Sequence, residues 1–228
     1  MSETHLPLIK GILFDFDGTL MDSLVCFHHI INLILIEESK PPITLEALRP
    51  HADKGSMAVI NEFFQIDETS IKAKQLQQRF YEHWLGQMTL KTRFFPQAEQ
   101  LLQTLVQMAL PWGVVSNRPT RFALPLIEHF TVYQQASCLI WGDTLSHCKP
   151  DPMQLQAACE QLQLHPNSVL YVGDTENDMI AAHSAGMPFA LAEYGYMRAE
   201  SDSSSLNTEL RIPHIKDLLP ALNLTMQK

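Results

Sequence analysis

Short apolar runs alternate along most of the chain with segments whose apolar residues recur at helical spacing. The first run, Ile12–Phe14, is typical of a strand buried on both faces of a sheet. The pattern predicts further strands at 112–116, 137–141, 168–172, 189–192 and near 211–212. It predicts helices at 97–108, 119–129, 151–162, 176–185 and 215–222. This alternation predicts an α/β fold with a doubly wound parallel sheet of the Rossmann type.

The segment after the first strand has a different pattern. Its apolar residues between 27 and 35 recur at helical spacing, and Pro41-Pro42 ends that helix. Further helices are predicted at 45–48, 56–64 and 70–87. Because no strand signal appears between about 21 and 92, we predict a small all-helical domain at 21–92. It would be inserted into an α/β core formed by residues 1–20 and 93–228.

Composition and charge narrow the classes of partner. Of the 228 residues, 46% are hydrophobic, which is enough for a sizeable core, and the formal net charge is −9. A negative chain is poorly suited to nonspecific binding of nucleic acid or of acidic membranes, so we expect neither partner. The longest apolar tract, Ile30–Ile36, is too short to cross a bilayer, which takes about 20 residues.

Cysteine and histidine usage indicates a reducing compartment and no zinc. The four cysteines form no CxxC pair, so we interpret them as reduced thiols of a cytoplasmic protein. The segment 1–10 lacks the apolar core of a secretory signal. The ten histidines form no HxH or HExxH spacing, which argues against a histidine zinc site. The sequence does not distinguish a monomer from a homodimer.

Two carboxylates follow the first predicted strand. In extended backbone, residues i and i+2 point the same way, so Asp15 and Asp17 would converge at the strand's carboxyl end, where open α/β sheets bind ligands. Gly18 allows the sharp turn that follows. Adjacent acids are costly unless a cation or a shared proton compensates them. The stretch therefore predicts a metal site with one carboxylate free to act.

Other strand ends carry residues that suit phosphate chemistry. Ser116-Asn117 follows one strand and could hold a phosphoryl oxygen through a hydroxyl and backbone N–H groups. Lys149 lies between a strand and a helix, where neighbouring prolines stiffen its approach. Asp174 and Asp178 follow another strand at a spacing that lets them face one direction in a helical turn. A pocket of carboxylate oxygens favours Mg²⁺ over zinc.

In order and spacing, four segments of the chain resemble the four motifs of the haloacid dehalogenase superfamily. They are Asp15-Phe-Asp-Gly-Thr-Leu20, Ser116-Asn117, Lys149 and Gly173-Asp-Thr-Glu-Asn-Asp178. The helical insertion resembles the α-helical cap of that superfamily. Val115-Ser-Asn-Arg-Pro-Thr120, Lys149-Pro-Asp-Pro-Met153 and Tyr194-Gly-Tyr-Met197 are similar to the phosphoglycolate phosphatase branch.

The resemblance implies a Mg²⁺-dependent phosphatase of small phosphorylated metabolites. Asp15 would attack phosphorus and form an aspartyl-phosphate, and Asp17 would act as general acid and then as general base. Asp15, Asp174 and the backbone carbonyl of Asp17 would bind Mg²⁺. Asp178 would bind it directly, contact it through water, or support the residues that bind it. Ser116, Asn117 and Lys149 would hold the phosphoryl oxygens.

The sequence specifies the type of reaction more closely than it specifies the substrate. The resemblance favours 2-phosphoglycolate, with N-acetylmuramic acid 6-phosphate or another sugar phosphate as the alternative. A phosphosugar mutase of the β-phosphoglucomutase kind uses the same two aspartates and is a further alternative. Within the resemblance, Gly173 before Asp174 favours a hydrolase over such a mutase. Substrate selection is expected from cap-loop residues and from one charge near Ser116: Arg49, Lys54, Gly55 and Arg118.

Overall fold

A six-stranded parallel sheet forms the centre of the fold. The computed structural model describes residues 6–196 and 206–224. The strands are β1 (Gly11–Phe14), β2 (Met21–Asp22), β3 (Arg93–Phe94), β4 (Trp112–Val115), β5 (Cys138–Ile140), β6 (Val169–Gly173), β7 (Phe189–Ala192) and β8 (Leu210–Ile212). The large sheet has the order β5-β4-β1-β6-β7-β8. The predicted α/β fold with a doubly wound parallel sheet is confirmed.

The strand order fixes where a ligand can bind. From β1 the chain winds outwards through β4 and β5, then returns to the other side of β1 and continues through β6, β7 and β8. Direct pairing of β1 with β4 and with β6 places its residues in register with both neighbours, as in Phe14 opposite Val114 and Val172. The order therefore reverses beside β1, and open α/β sheets bind ligands at the carboxyl ends of strands at such a point.

Buried side chains on both faces explain why the central strands are apolar throughout. Every residue of β1, β4, β6 and β7 is buried. Because side chains alternate along a strand, Leu13 and Tyr171 face one side of the sheet while Ile12 and Phe14 face the other. The first side packs against the helices Met153–Leu162 and Glu176–Ser184 in a core cluster: Leu13, Val115, Cys138, Ile140, Leu155, Ala158, Cys159, Val169, Tyr171, Ala181, Ala182, Ala185, Met187, Phe189 and Leu191.

The helices follow the predicted pattern closely. They are α1 (Leu24–Glu37), α2 (Leu45–Leu48), α3 (Gly55–Phe64), α4 (Ile71–Lys91), α5 (Ala98–Gln107), α6 (Thr120–His129), α7 (Met153–Leu162), α8 (Glu176–Ser184) and α9 (Leu218–Ala221). Gly186, at φ +75°, ends α8 in the left-handed conformation that favours glycine. The predicted helix at 215–222 is instead a 3₁₀ turn, Ile215–Asp217, followed by the short α9.

The chain divides into two compact units. One comprises residues 1–21 and 94–228, and the other comprises residues 22–93. The second unit contains α1 to α4 and a 3₁₀ helix, Arg49–Lys54, and its core includes a group of aromatic rings, with Phe27 and Phe80 at 4.7 Å and Phe80 and Trp84 at 5.4 Å between centroids. Among the described residues, no helix is long and apolar enough to cross a membrane.

Candidate active site

Three carboxylates meet at the carboxyl ends of β1 and β6. Asp15 follows β1 directly, and its backbone N–H donates to the Val172 carbonyl at 2.8 Å, which ties it to β6. Asp174 follows β6, and Asp178 lies in the first turn of α8. One carboxylate oxygen from each of Asp15, Asp174 and Asp178 lies within 4.8 Å of the others, and all three residues are buried. We call these three residues the carboxylate cluster.

Lys149 is the cation that the carboxylate cluster contacts. Its Nζ lies 2.8 Å from Asp15 Oδ1 and donates to Asp178 Oδ1 at 2.6 Å. The Tyr171 hydroxyl accepts a second hydrogen bond from Nζ, at 2.7 Å. Two hydrogen bonds and one ion pair therefore hold the ammonium.

Burial and mutual repulsion dominate the electrostatics of the cluster. Burial raises the pKa of Asp15 to about 7, aided by the charge of Asp178, although Lys149 acts in the opposite direction. Burial and the charges of Asp178 and Asp15 also hold the pKa of Asp174 well above its usual range. Burial opposes the charge on Lys149, but Asp15 and Asp178 more than offset it, so the pKa of the ammonium is raised. These shifts describe a site with more negative charge than one lysine neutralises.

Local backbone structure positions Asp178. Thr175 is the N-cap of α8, and its hydroxyl accepts from the Asp178 backbone N–H at 3.3 Å. In return Asp178 Oδ2 accepts from the Thr175 backbone N–H at 3.0 Å and from its hydroxyl at 2.6 Å. This reciprocal capping box, together with Lys149 and Tyr171 on Oδ1, occupies both oxygens of Asp178. The carboxylate of Asp178 is therefore fixed in position by hydrogen bonds to both of its oxygens.

Glycines on both sides allow Asp174 to lie where it does. Gly18 has φ +83°, and a Cβ added there would lie 2.2 Å from Asp174 Oδ2. A Cβ on Gly195 would lie 2.3 Å from Asp174 Cβ. The Tyr196 backbone N–H donates to Asp174 Oδ2 at 2.8 Å, and the Thr19 hydroxyl donates to Oδ1 at 3.3 Å. Any side chain at either glycine would push this carboxylate out of the cluster.

Asp17 lies outside the carboxylate cluster and has its own cation. Arg118 donates through Nε to Asp17 Oδ2 at 2.8 Å and through Nη2 to Oδ1, a two-pronged ion pair. The Asp17 side chain is 26% exposed, against 11% for Asp15, so Asp17 is the more accessible of the two to a ligand. Arg118 also donates to the Phe122 carbonyl at 3.3 Å, and its side chain is only 7% exposed.

The residues after β4 lie near the same site. Ser116 is buried, and its hydroxyl accepts from the Arg118 backbone N–H at 3.3 Å. The Asn117 side chain donates to the Lys149 backbone carbonyl at 2.7 Å. Asn117 thus supports the segment that carries Lys149, a contact that sequence reasoning had not anticipated.

The structure thus brings together eight of the predicted site residues and leaves three in the helical unit. Those at the site are Asp15, Asp17, Ser116, Asn117, Arg118, Lys149, Asp174 and Asp178. Arg49 and Lys54 begin and end the 3₁₀ helix of the second unit, and Gly55, at φ +81°, begins α3. Met197 of the predicted Tyr194–Met197 segment lies outside the described residues. Sequence reasoning missed Tyr171, Thr175 and Gly195; only the spacing of Thr175 and Asp178 carried a local signal, that of a capping box.

The carboxylate cluster fits a divalent cation of the hard type. Three carboxylates and one ammonium leave two uncompensated negative charges in a buried site, which is costly without a cation or protons. The candidate ligand atoms are all carboxylate oxygens, and the Lys149 ammonium beside them cannot bind a metal while protonated. A set of this kind suits Mg²⁺ or Ca²⁺ and not zinc.

Known proteins match the chain along most of its length. The chain is 34% identical over 204 residues to a phosphoglycolate phosphatase of Xanthomonas campestris, covering 89% of this chain and 91% of that protein. It is 29% identical over 215 residues to an N-acetylmuramic acid 6-phosphate phosphatase of Pseudomonas aeruginosa, covering 94% and 95%.

A solved structure has the same fold along nearly the whole chain. The crystal structure of a protein described as a predicted phosphoglycolate phosphatase of Haemophilus somnus superposes with a TM-score of 0.83 at 25% identity, covering 95% of this chain and 99% of that one. The family model for haloacid dehalogenase-like hydrolases matches residues 12–192, which include every residue of the carboxylate cluster. The chain belongs to the haloacid dehalogenase-like hydrolase family.

Proposed function

We propose that this hydrolase is a Mg²⁺-dependent phosphomonoesterase that works through an aspartyl-phosphate on Asp15. The observation that carries the proposal is the division of labour between the two carboxylates after β1. Asp15 lies within the buried carboxylate cluster beside Lys149, whereas Asp17, two residues on, lies outside it and is more exposed. Hydrolysis in two steps needs one carboxylate as nucleophile and a second to move protons.

The carboxylate cluster supplies the metal ligands in this proposal. Asp15, Asp174 and the backbone carbonyl of Asp17 would hold Mg²⁺, which when bound draws charge from a phosphoryl oxygen and offsets the excess negative charge of the cluster. Both oxygens of Asp178 already accept hydrogen bonds, from Lys149, Tyr171 and Thr175. We therefore assign Asp178 to holding Lys149 in place beside the residues that would bind the metal.

In the first step an Asp15 carboxylate oxygen attacks phosphorus. A bond forms between that oxygen and phosphorus, and the bond from phosphorus to the ester oxygen breaks. The leaving oxygen takes a proton from the carboxyl of Asp17 and departs as an alcohol. Lys149 and Ser116 hold the phosphoryl oxygens, where negative charge is greatest in the transition state.

In the second step water replaces Asp15. Asp17, now a carboxylate, takes a proton from water while the water oxygen bonds to phosphorus and the bond to Asp15 breaks. Inorganic phosphate leaves, and Asp15 is a free carboxylate again, while Asp17 carries the proton needed for the next cycle. The atoms balance as one phosphomonoester plus one water giving one alcohol plus one phosphate.

The proposed substrate is 2-phosphoglycolate. Relatives that bear the name phosphoglycolate phosphatase support it, and a relative named N-acetylmuramic acid 6-phosphate phosphatase supports a second candidate, the 6-phosphate of that sugar acid. Both compounds carry a carboxylate besides the phosphate. A cation near the acid/base, such as Arg118, suits substrates of this class, and Arg49, Lys54 and Gly55 are proposed to refine the choice.

We also propose a cytoplasmic location and either a monomer or a homodimer. The cysteines support a reducing compartment, since Cys26, Cys138, Cys148 and Cys159 are all free thiols.

A panel of phosphomonoesters tests the proposed function. The purified chain with Mg²⁺ would be assayed for phosphate release from 2-phosphoglycolate, N-acetylmuramic acid 6-phosphate, simple sugar phosphates and nucleotides. We expect turnover that disappears after EDTA treatment and returns with Mg²⁺, and a preference of at least about tenfold in kcat/KM for the true substrate, which corresponds to about 1.4 kcal/mol. Phosphate release that survives complete metal removal would contradict the metal assignment, and the absence of turnover on every ester would contradict the function.

A further inference from the structure

The hydroxyl of Tyr171 joins three parts of the site that no local sequence pattern connects. Tyr171 lies in the middle of β6, fully buried between β1 and β7. Its Oη accepts from Lys149 Nζ at 2.7 Å. The single proton of this hydroxyl has two acceptors within reach, the Val115 carbonyl at 2.9 Å and Asp178 Oδ1 at 3.1 Å. Val115 immediately precedes Ser116, so one oxygen atom contacts the segments that carry Lys149, Ser116 and Asp178.

The three partners of the Lys149 ammonium have different roles during the proposed reaction. Asp15, 2.8 Å away, changes its bonding as it attacks phosphorus and is later released. Tyr171 and Asp178 undergo no covalent change, and their hydrogen bonds to Nζ measure 2.7 and 2.6 Å. These two groups are therefore the fixed supports of the ammonium while its third partner reacts.

We propose that Tyr171 is a positioning residue that holds the Lys149 ammonium, through its hydroxyl, in the orientation needed to stabilise the phosphoryl group in the transition state. The inference rests on the proposed function, because Lys149 acts on a phosphoryl group only in a phosphatase. Its physical basis is that a mobile ammonium stabilises developing charge less well than one fixed in advance. The ring of Tyr171 packs near Phe189, with centroids 6.3 Å apart, so a phenylalanine would keep the packing and lose only the hydroxyl.

Tyr133 provides a matched control for the loss of a buried hydroxyl. Tyr133 is 1% exposed, and its Oη has no hydrogen-bond partner among the described residues. Tyr133→Phe therefore removes a buried phenolic oxygen without breaking a hydrogen bond. Tyr171→Phe removes one that bonds to a catalytic lysine, so a difference between the two variants reports on those bonds.

The test is a double-mutant cycle on Lys149 and Tyr171, with p-nitrophenyl phosphate as the probe. We expect Tyr171→Phe to lower kcat about tenfold to hundredfold with KM changed by less than about threefold, because the hydroxyl acts on the transition state through a charged group. Lys149→Met should lower kcat about 1,000-fold, as for a lost oxyanion contact. The double variant should lose no more than Lys149→Met alone, because Tyr171 acts only through Lys149.

Two results would overturn the inference. One is a Tyr171→Phe enzyme whose kcat lies within about twofold of Tyr133→Phe, which would make the hydroxyl irrelevant to turnover. The other is a double variant in which the two losses multiply, because a residue that merely supports the strand would act independently of Lys149.

Urea unfolding of the same four proteins separates this inference from the proposed function. If the wild-type chain hydrolyses no phosphomonoester, the proposed function fails, but Tyr171 and Lys149 should still show coupled effects on the unfolding midpoint, since their hydrogen bond exists without substrate. Additive shifts in the midpoint would show that the hydroxyl does not hold the ammonium, whatever the chain hydrolyses.

Discussion

The buried carboxylate cluster and the outer pair of Asp17 and Arg118 place two neighbouring aspartates in contrasting environments. Asp15 shares a lysine with Asp178 in a site where negative charges outnumber positive ones, and burial raises its pKa to about 7. Asp17 has an arginine to itself, bonded through both oxygens, and its side chain is more exposed. The cluster is thus incomplete without a cation, whereas the outer pair is already balanced. The charge excess of the cluster suits Asp15 to metal-assisted attack, and the greater exposure of Asp17 makes it the more accessible carboxylate for proton transfer.

Loss of Asp15 should produce the largest effect. Asp15→Asn keeps the size of the side chain and removes the nucleophile, so we expect phosphate release to fall by at least about 10⁴-fold. Steady-state phosphate assays of the variant measure this. Glu160→Gln, which removes an exposed carboxylate on α7, is the matched control and should leave turnover unchanged. Near-normal turnover of Asp15→Asn would contradict the nucleophile assignment.

Loss of Asp17 should give a smaller effect that depends on the leaving group. Removing a general acid costs roughly 10² to 10⁴-fold for an alkyl ester, but less for p-nitrophenyl phosphate, whose leaving group needs little protonation. Because Asp17 is also the proposed base for the water step, Asp17→Asn should accumulate phosphoenzyme. Mass spectrometry of acid-quenched protein would detect that species on Asp15. Equal losses on both esters with no phosphoenzyme would assign Asp17 to binding alone.

Most of this comparison could be predicted from the sequence because the residues follow strand ends. Asp15, Ser116 and Asp174 each come directly after an apolar run, and parallel strands bring their carboxyl ends to one edge of the sheet. The pairing of Asp17 with Arg118 could not be predicted, because the two residues are 101 positions apart. Their contact depends on side-chain rotamers, about which the spacing of apolar residues along the chain gives no information. The sequence predicts Arg118 only as a charge that helps to select the substrate, yet its side chain is 7% exposed and pairs with Asp17.

Tyr171 and Gly195 were missed for a related reason. A tyrosine inside an apolar strand is typical of the hydrophobic core. Only the structure shows that its hydroxyl accepts a hydrogen bond from Lys149, 22 residues away along the chain. The sequence around Gly195 indicates only a loop, because no nearby residue shows that Asp174 lies against this glycine. Backbone order therefore fixes which strand ends meet, while the supporting contacts depend on side-chain packing across the sheet.

The stability of the metal-free protein should depend on pH through the carboxylate cluster. The pKa of Asp15 in the folded state is about 7, above its value of 3.8 without the fold, so the folded state binds more protons between these values. This contribution is fully present below about pH 4 and is lost as pH rises through 7, by up to about 4 kcal/mol at 1.36 kcal/mol per unit. Asp174 shifts in the same direction.

Urea unfolding with EDTA at several pH values between 5 and 8 measures that dependence. We expect the unfolding midpoint to fall as pH rises, Mg²⁺ to restore most of it at pH 8, and Asp174→Asn to flatten the slope. The variant differs from the wild type only at Asp174, so the difference between the two slopes isolates the cluster. A metal-free protein whose stability rises steadily from pH 5 to 8 would contradict the charge excess.

Crowding of Asp174 should weaken Mg²⁺ binding and leave the pair of Asp17 and Arg118 unchanged. A Cβ at Gly195 would lie 2.3 Å from Asp174 Cβ, so Gly195→Ala must displace this carboxylate. We expect the Mg²⁺ concentration for half-maximal activity to rise about tenfold, which is about 1.4 kcal/mol of binding free energy. Gly86→Ala on α4 is the control, because an added Cβ there meets nothing within 4 Å. An unchanged Mg²⁺ requirement in Gly195→Ala would remove Asp174 from the ligand set.

Alteration of the outer pair should have the smallest effect and the most selective one. Arg118→Lys keeps the charge but loses the planar fork that bonds both oxygens of Asp17, so we expect kcat to fall only about threefold to tenfold with the Mg²⁺ requirement unchanged. If Arg118 also recognises a substrate carboxylate, KM should rise for 2-phosphoglycolate and stay constant for a simple sugar phosphate that lacks a carboxylate. Kinetics on the two esters separate these contributions. A changed Mg²⁺ requirement in Arg118→Lys would show instead that the outer pair and the cluster act as one site.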